Sequence, residues 1–201
     1  MCSILAWCSP SASFDTFKEA LDRSIPRGPD MQRITPVPGG LMGFNRLAIM
    51  GLNEEGMQPF TLDQDVLICN GEIYNFRSKK EELIRIGYDF RSESDCEILL
   101  PLYHEYGLAL FGMLDAEFAL VLYDHEKKSF VAARDPIGIR PLYYGIDSSG
   151  YTLFASEPKN LVGLCDMILP FPPGHYYVDG KFVSYLDPSK VERVSYDSSE
   201  L

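Results

Sequence analysis

The chain has 201 residues, 46% of them hydrophobic and 23% charged, a composition typical of a globular protein with one sizeable core. The formal net charge of −11 argues against a nucleic-acid partner, because no basic stripe is available to neutralise phosphates. No apolar run approaches the ~20 residues that a membrane span requires, so we expect no membrane partner. Five cysteines without a paired spacing indicate reduced thiols and a cytoplasmic location.

The first half of the chain alternates short strands with helices. Ser3–Trp7 predicts a buried strand, and Phe14, Phe17 and Leu21 recur at helical spacing behind a cap at Ser13 or Asp15. A stretch rich in proline and glycine follows at 26–40. Strands are predicted at 40–47 and 66–70, and we expect the second to run into a turn at Gly71.

The middle of the chain predicts two helices. One spans 78–86 and ends at Gly87, a typical residue just past a helix end. The other begins at Ser94, with Glu97 three residues later in a capping-box pattern, and ends near Gly107.

The remaining pattern predicts hairpins. Segments 117–123 and 129–134 form one, and further strands are expected at 142–145, 151–155, His175–Val178 and 181–185. The last two are joined by Asp179-Gly180, a strong hairpin signal. Successive hairpins with clustered helices favour an α+β fold with antiparallel sheets.

Common catalytic and cofactor signatures are absent from the sequence. His104, His125 and His175 are isolated, so no metal site is predicted. Neither of the common glycine-rich phosphate loops occurs, nor does a Gly-x-Ser-x-Gly elbow. These absences direct attention to the cysteine beside the initiator methionine.

Cys2 becomes the first residue once Met1 is removed, and its small side chain favours that removal. It then carries a thiol, whose pKa in an unstructured peptide is roughly 8.5, and an α-amine, whose pKa there is roughly 7.7–8.0. The amine can serve as the general base for its own thiol, the N-terminal-nucleophile arrangement. The structural alternative is a small residue that merely begins a strand.

Two further pairs suit amino-acid chemistry. The Asn70 amide and the Gly71 N–H can together form an oxyanion hole, although a hairpin turn is the simpler interpretation. Arg46 at a strand end can grip an α-carboxylate, and Asp95 at a helix start can hold an α-ammonium. Taken singly, these two residues also fit a surface charge and a helix cap.

Eight segments in order resemble the class II glutamine amidotransferase family. They are Met-Cys-Ser-Ile at 1–4, Arg-Gly-Pro-Asp at 27–30, Asn-Arg-Leu at 45–47, Asn-Gly-Glu-Ile-Tyr-Asn at 70–75, Ser-Asp-Cys-Glu at 94–97, Arg-Asp-Pro-Ile-Gly-Ile-Arg-Pro-Leu-Tyr-Tyr at 134–144, Ala-Ser-Glu-Pro-Lys at 155–159 and Phe-Pro-Pro-Gly-His-Tyr at 171–176. Within the family, the segments at 27–30, 70–75 and 173–176 most resemble glutamine-dependent asparagine synthetases. The chain differs at Phe44, where relatives often have histidine.

The resemblance implies a four-layer α/β/β/α sandwich of two antiparallel sheets, the N-terminal-nucleophile hydrolase fold. It implies that Cys2 attacks the side-chain carboxamide of L-glutamine to give a thioester and ammonia, with Asn70 and Gly71 as the oxyanion hole. Arg46 would then bind the α-carboxylate and Asp95 with Glu72 the α-amino group. Backbone groups of the segment that follows Arg46 would complete the pocket, namely Leu47, Ala48, Ile49 and Met50.

The resemblance also implies that the full protein has two domains with separate reactions. Residues 1–186 match the amidotransferase domain, and 187–201 have the polar composition of a linker towards a C-terminal synthetase domain. This domain itself needs no cofactor or metal, because ATP and Mg²⁺ belong to the synthetase domain that converts aspartate to asparagine. The chain contains no Ser-Gly-Gly-x-Asp-Ser motif of that domain.

The sequence leaves alternatives open. The ammonia acceptor can instead be a phosphoribosyl or sugar-phosphate substrate, and a non-catalytic glutamine-sensing module is a further alternative. The sequence does not decide whether the chain forms a homodimer.

Overall fold

The computed structural model describes residues 1–49 and 54–190. Three α-helices are present in these ranges, α1 (Phe14–Asp22), α2 (Phe76–Arg85) and α3 (Leu99–Tyr106). Shorter 3₁₀ helices lie at Ile25–Arg27, Glu54–Gly56, Asp95–Ile98, Gly107–Met113 and Pro158–Asn160. The strands are β1 (Ser3–Trp7), β2 (Met31–Val37), β3 (Gly40–Arg46), β4 (Phe60–Leu62), β5 (Asp65–Ile73), β6 (Ala116–Asp124), β7 (Ser129–Arg134), β8 (Tyr143–Ile146), β9 (Thr152–Ala155), β10 (Ile168–Pro170), β11 (His175–Val178) and β12 (Lys181–Ser184).

The strands form two antiparallel sheets of six. The first has the order β10-β8-β9-β1-β3-β2, and the second β12-β11-β7-β6-β5-β4. In the first sheet β1 lies between β3 and β9, with Ser3 opposite Asn45 and Leu5 opposite Ala155. In the second, β5 pairs with β6 along nearly its whole length, so that Gly71 faces Phe118. The N-terminus therefore enters the middle of one sheet.

Among the described residues, three buried clusters arrange the sheets and helices in layers. The central cluster joins the facing sides of the two sheets, for example Phe44 of β3 and Val121 of β6. The outer side of the first sheet packs against α1 through Phe17 and Leu21. The outer side of the second packs against α2 and α3 through a larger cluster that includes Leu99. The predicted α+β, four-layer α/β/β/α sandwich is therefore confirmed.

Most predicted elements are present with ends shifted by a few residues. Ser3–Trp7 and His175–Val178 match the prediction, and Ser13 caps α1 by accepting the Thr16 N–H at 3.4 Å. Phe14 is about half exposed, so α1 buries only the later part of its apolar stripe. The proline- and glycine-rich stretch 26–40, for which no strand was predicted, contains β2, an edge strand whose exposed side chains and Pro36 hide the usual strand pattern.

Two local predictions were wrong. The turn expected at Gly71 does not form, because β5 continues to Ile73 and pairs with β6 there. A Cβ at Gly71 would lie 2.8 Å from the Glu117 carbonyl oxygen, so close strand packing explains the glycine. The capping box is also absent, since the Glu97 carboxylate reaches back to the N–H groups of Arg91 and Ser92 at 2.8 Å each.

Candidate active site

Cys2 lies directly before β1, and two neighbours, Arg27 and Leu47, hold it. The Arg27 Nε donates to the Cys2 carbonyl oxygen at 3.1 Å, and Arg27 Nη1 pairs with Glu157 at 3.3 Å. The Leu47 N–H donates to the Cys2 Sγ at 3.4 Å, and the thiol lies 3.6 Å from the Leu47 carbonyl oxygen. The sulfur is therefore fixed against the chain that leaves β3.

Burial raises the pKa of the Cys2 thiol, while the Leu47 hydrogen bond, the N-terminal ammonium and Arg46 act in the opposite direction. Burial also raises the pKa of the Cys8 thiol, to well above its ordinary value. A hydrogen bond with Cys69 and burial raise the pKa of Cys96 in the same way. Burial thus disfavours the thiolate of Cys2, and a neighbouring base would assist its ionisation.

Asn70 and Gly71 lie near the end of β5, in the wall of the cavity that Cys2 also lines. Asn70 is almost completely buried, and its Nδ2 has no hydrogen-bond partner among the described residues. An unpaired buried amide donor is costly and uncommon in native proteins. Its position beside the backbone of a glycine is suited to stabilise a developing negative charge on a ligand.

The predicted amino-acid clamp residues also line this cavity. Arg46, the last residue of β3, is only 3% exposed, so it is not a surface charge. Asp95 is buried and accepts the Ile73 N–H at 2.6 Å, and it does not cap a helix by a side-chain bond. The Glu72 carboxylate is 55% exposed at the mouth. A buried cation and a buried carboxylate thus border the same space.

The cavity has a volume of about 150 Å³. Its described wall includes most of the predicted site residues, which are Cys2, Arg46, Leu47, Ile49, Asn70, Gly71, Glu72 and Asp95. Ala48 is not among the lining residues, but its N–H donates to Asp30 at 2.7 Å and this bond anchors the segment. The predicted contribution of Met50 lies outside the described residues.

Three residues of the site have positions that the sequence alone does not predict. Gln58 is buried in the cavity wall, and its side-chain amide pairs with both the N–H and the carbonyl of Cys69, at 2.6 and 2.9 Å. Arg27 holds the Cys2 backbone, and Arg140 reaches the cavity from the loop after β7. Gln58 has no local sequence signal, whereas both arginines belong to segments that carry the family resemblance.

No group of three His, Cys, Asp or Glu side chains placed to hold a metal ion occurs within 1–49 and 54–190. In the same ranges, none of the helices has the length and apolar character needed to cross a membrane.

Comparison with known proteins is consistent across sequence and structure. A family model described as a glutamine amidotransferase domain matches residues 1–171. The chain is 45% identical over 199 residues to a probable glutamine-hydrolysing asparagine synthetase of Schizosaccharomyces pombe, covering 94% of this chain and 35% of the relative. It is 41% identical over 163 residues to asparagine synthetase B of Escherichia coli, covering 79% and 29%. The chain thus spans about a third of the length of the curated relatives it matches.

A solved structure shares the fold at lower sequence identity. The glutamine phosphoribosylpyrophosphate amidotransferase of B. subtilis superposes with a TM-score of 0.78 at 19% identity. The match covers 92% of this chain and 49% of that one. At this identity the likeness extends to the fold alone.

Proposed function

This chain belongs to the glutamine amidotransferase domain family, and we propose that it hydrolyses L-glutamine to L-glutamate and ammonia with Cys2 as the nucleophile. One observation carries the proposal. The Cys2 thiol shares a small cavity with an unpaired buried amide donor, Asn70, and with a buried cation and carboxylate, Arg46 and Asp95. A zwitterionic amino acid with a carboxamide side chain matches this combination of groups.

The nucleophile requires removal of Met1. The raised pKa of the buried thiol leaves little thiolate near neutral pH, so a base must take its proton. The freed α-amine of Cys2 is that base, because the ordinary pKa of an α-amine, roughly 7.7–8.0, keeps a useful neutral fraction at physiological pH. Arg27 contributes by fixing the Cys2 carbonyl through its Nε.

The reaction has two steps with balanced proton transfers. The Cys2 sulfur bonds to the carboxamide carbon of glutamine, the amine accepts the thiol proton, and the oxyanion receives hydrogen bonds from Asn70 Nδ2 and the Gly71 N–H. The C–N bond then breaks, and nitrogen leaves as ammonia with the proton held by the amine. Water adds to the thioester, its proton returns through the amine, and glutamate and free thiol result.

Recognition of glutamine uses its two charged groups. Arg46 binds the α-carboxylate, and Asp95 with Glu72 binds the α-ammonium. Backbone groups of Leu47 and Ile49, which line the cavity, complete the pocket together with Met50. Ala48 contributes indirectly, because its N–H donates to Asp30 and so limits the motion of the chain after Arg46.

We further propose that the ammonia serves asparagine formation. Identity of 40–45% to glutamine-hydrolysing asparagine synthetases supports this acceptor over a phosphoribosyl one, whose structural relative is 19% identical. Residues 1–186 would be the glutaminase domain and 187–201 the start of a linker to a synthetase domain that uses ATP and Mg²⁺. Five free thiols favour the reducing cytoplasm.

The direct test is glutamate release from glutamine by the processed protein and by a Cys2→Ala variant. Wild type is expected to release glutamate and ammonia in equal amounts, and the variant to lose essentially all activity. Equal rates in the two proteins would contradict the assignment of Cys2.

A second preparation tests the base. Protein that retains Met1 carries an amide at the Cys2 nitrogen, so its thiol lacks a neighbouring base. We expect it to be nearly inactive, with the N-terminus of each preparation identified by mass spectrometry. Full activity with Met1 intact would show that another group takes the thiol proton.

A further inference from the structure

The loop 134–140 that follows β7 is closed by its own carboxylate. Asp135 is buried, and its Oδ1 accepts the N–H groups of Ile137, Gly138 and Ile139 at 3.1, 2.6 and 2.9 Å. Its Oδ2 accepts the Arg140 N–H at 3.0 Å. Four backbone donors on one carboxylate fix the path of this loop.

The Arg134 side chain closes the loop from its other side. Its guanidinium donates to the carbonyl oxygens of Arg140, Phe171 and Gly138, each at 2.8 Å. The turn is completed by Gly138 with a φ of +77°, a conformation that favours glycine. The base of the Arg140 side chain is therefore held on a rigid frame.

From this frame, Arg140 extends to the mouth of the Cys2 cavity. Its side chain is only 14% exposed and forms part of the cavity wall. Its Nε lies 3.3 Å from a Glu117 carboxylate oxygen, and its Nη2 lies 3.8 Å from one of Glu72. Its Nη1 lies 2.8 Å from the Met1 sulfur, a contact that ends when Met1 is removed.

The two carboxylates differ in how firmly they are held. Glu117 also accepts the Tyr74 hydroxyl, and this hydrogen bond raises the pKa of Tyr74 to about 12. Glu72 is 55% exposed, and its described ion pair is the one with Arg140. Arg140 thus bridges an anchored carboxylate and an exposed one, and without it the two negative charges would repel each other.

We propose that Arg140 is a positioning residue for glutamine, holding the Glu72 carboxylate where it meets the substrate α-ammonium. The inference rests on the proposed function, in which Glu72 and Asp95 bind that group. Removing the Arg140 charge would by itself favour a nearby α-ammonium. A rise in KM on its removal would therefore report the lost position of Glu72 and not the lost charge.

The test compares Arg140→Gln, Arg140→Lys and wild type as processed proteins. Arg140→Gln should raise KM for glutamine about tenfold while kcat stays within about twofold. Arg140→Lys should recover part of the loss, because an ammonium can still pair with Glu72. Arg33→Gln is the matched control, since Arg33 is exposed on β2 and is not among the described lining residues. A fall in kcat with unchanged KM would overturn the proposal.

A double-mutant cycle tests the route of the effect. If Arg140 acts through Glu72, Arg140→Gln adds nothing to KM once Glu72→Gln is present. If the KM increase of the double variant equals the product of the two single-variant increases, the proposal is overturned. A general loss of structure would appear in thermal unfolding of Arg140→Gln and Arg140→Lys alike.

Binding separates this inference from the proposed function. Glutamine binding is measured by calorimetry in a Cys2→Ala background with and without Arg140→Gln. A Kd weaker by about tenfold in the Arg140→Gln protein supports the inference. Failure of wild type to turn glutamine over would contradict the proposed reaction alone and leave this result standing. Equal Kd values would overturn the role of Arg140 and leave the reaction intact, and absence of any binding would overturn both.

Discussion

At the scale of single residues, the site is marked by polar side chains in places where polar side chains are rare. Arg46, Asn70 and Asp95 are all buried, although arginine, asparagine and aspartate are mostly exposed in folded proteins. Asp95 accepts a hydrogen bond from the Ile73 N–H, but Asn70 Nδ2 has no hydrogen-bond partner among the described residues. Burial of an unpaired donor costs stability, and ligand binding can recover that cost.

Removal of the Asn70 amide tests its proposed role as an oxyanion donor. Asn70→Ala should lower kcat about 10²- to 10³-fold with little change in KM, because the bond forms mainly in the transition state. Steady-state glutamate release gives both constants.

Asn160→Ala is the matched control for this prediction. Asn160 is also buried, and its Nδ2 donates to the carbonyl oxygen of Ala20 at 2.6 Å and to Ser24 Oγ at 2.9 Å. Loss of the Asn160 amide should lower the free energy of unfolding by about 1–3 kcal/mol and leave kcat unchanged. Similar kcat losses in the two variants would contradict the role of Asn70.

The role of a residue can be predicted from sequence where its side chain suits one kind of chemical interaction. Reactivity and charge point to Cys2, Arg46 and Asp95, and the structure brings them to one cavity, although their roles are still predictions. The position of Gln58 is not predictable, because it depends on pairing with Cys69 in three dimensions. The position of Arg140 is not predictable either, because only the closed loop brings it to Glu72.

At the scale of elements, local patterns predict most helices and strands, whereas context decides the rest. The turn prediction at Gly71 was wrong because the neighbouring strand β6 requires the glycine. The strands β4 and β10 have no sequence prediction, since each has only three residues and forms by pairing at the edge of a longer strand, β5 or β8. Edge and short strands show little periodicity.

A polar cluster of buried Tyr103 and Asp124 with the exposed Lys127 joins α3 to the β6–β7 hairpin. The Tyr103 hydroxyl donates to Asp124 Oδ2 at 2.7 Å, and the Lys127 ammonium donates to the same oxygen at 2.6 Å. Burial raises the pKa of Tyr103 to about 12, with the Asp124 bond acting in the same direction. Burial opposes ionisation of Asp124, yet the bonds from Lys127 and Tyr103 hold the pKa of that carboxyl below its ordinary value.

This cluster predicts a pH dependence of stability. A carboxyl whose folded pKa is lowered stabilises the fold above its unfolded pKa of ~3.9 and loses that contribution as the pH falls through the folded pKa. The difference in free energy of unfolding between wild type and Asp124→Asn should be largest at about pH 5 and above and shrink below about pH 4. Urea unfolding at a series of pH values measures it, and a constant difference would contradict the assignment.

At the scale of the whole molecule, Tyr185 and Leu186 are attached to the folded domain by several contacts. Tyr185 packs against Phe111 with ring centroids 5.7 Å apart, and its hydroxyl donates to the Arg134 carbonyl at 2.7 Å. The Leu186 N–H donates to the Gly174 carbonyl at 3.3 Å. These contacts favour the proposed domain end at 186.

Truncation tests that boundary. A chain of residues 1–186 should keep the Tm and glutaminase activity of the longer one. A chain of residues 1–184 should lose about 1–3 kcal/mol of unfolding free energy, because the Tyr185 ring and its hydrogen bond are removed. Thermal unfolding of both chains measures this, and equal Tm values would show that Tyr185 is not part of the folded unit.

The proposed reaction requires that Cys2 itself carry the glutamyl group. Processed protein mixed with glutamine, quenched in acid within a turnover and digested, is analysed by mass spectrometry for a glutamyl thioester. We predict the adduct on the N-terminal peptide that begins at Cys2 and its absence from Cys2→Ala. An adduct on the Cys69 or Cys96 peptide instead, or an adduct that persists in Cys2→Ala, would contradict the claim.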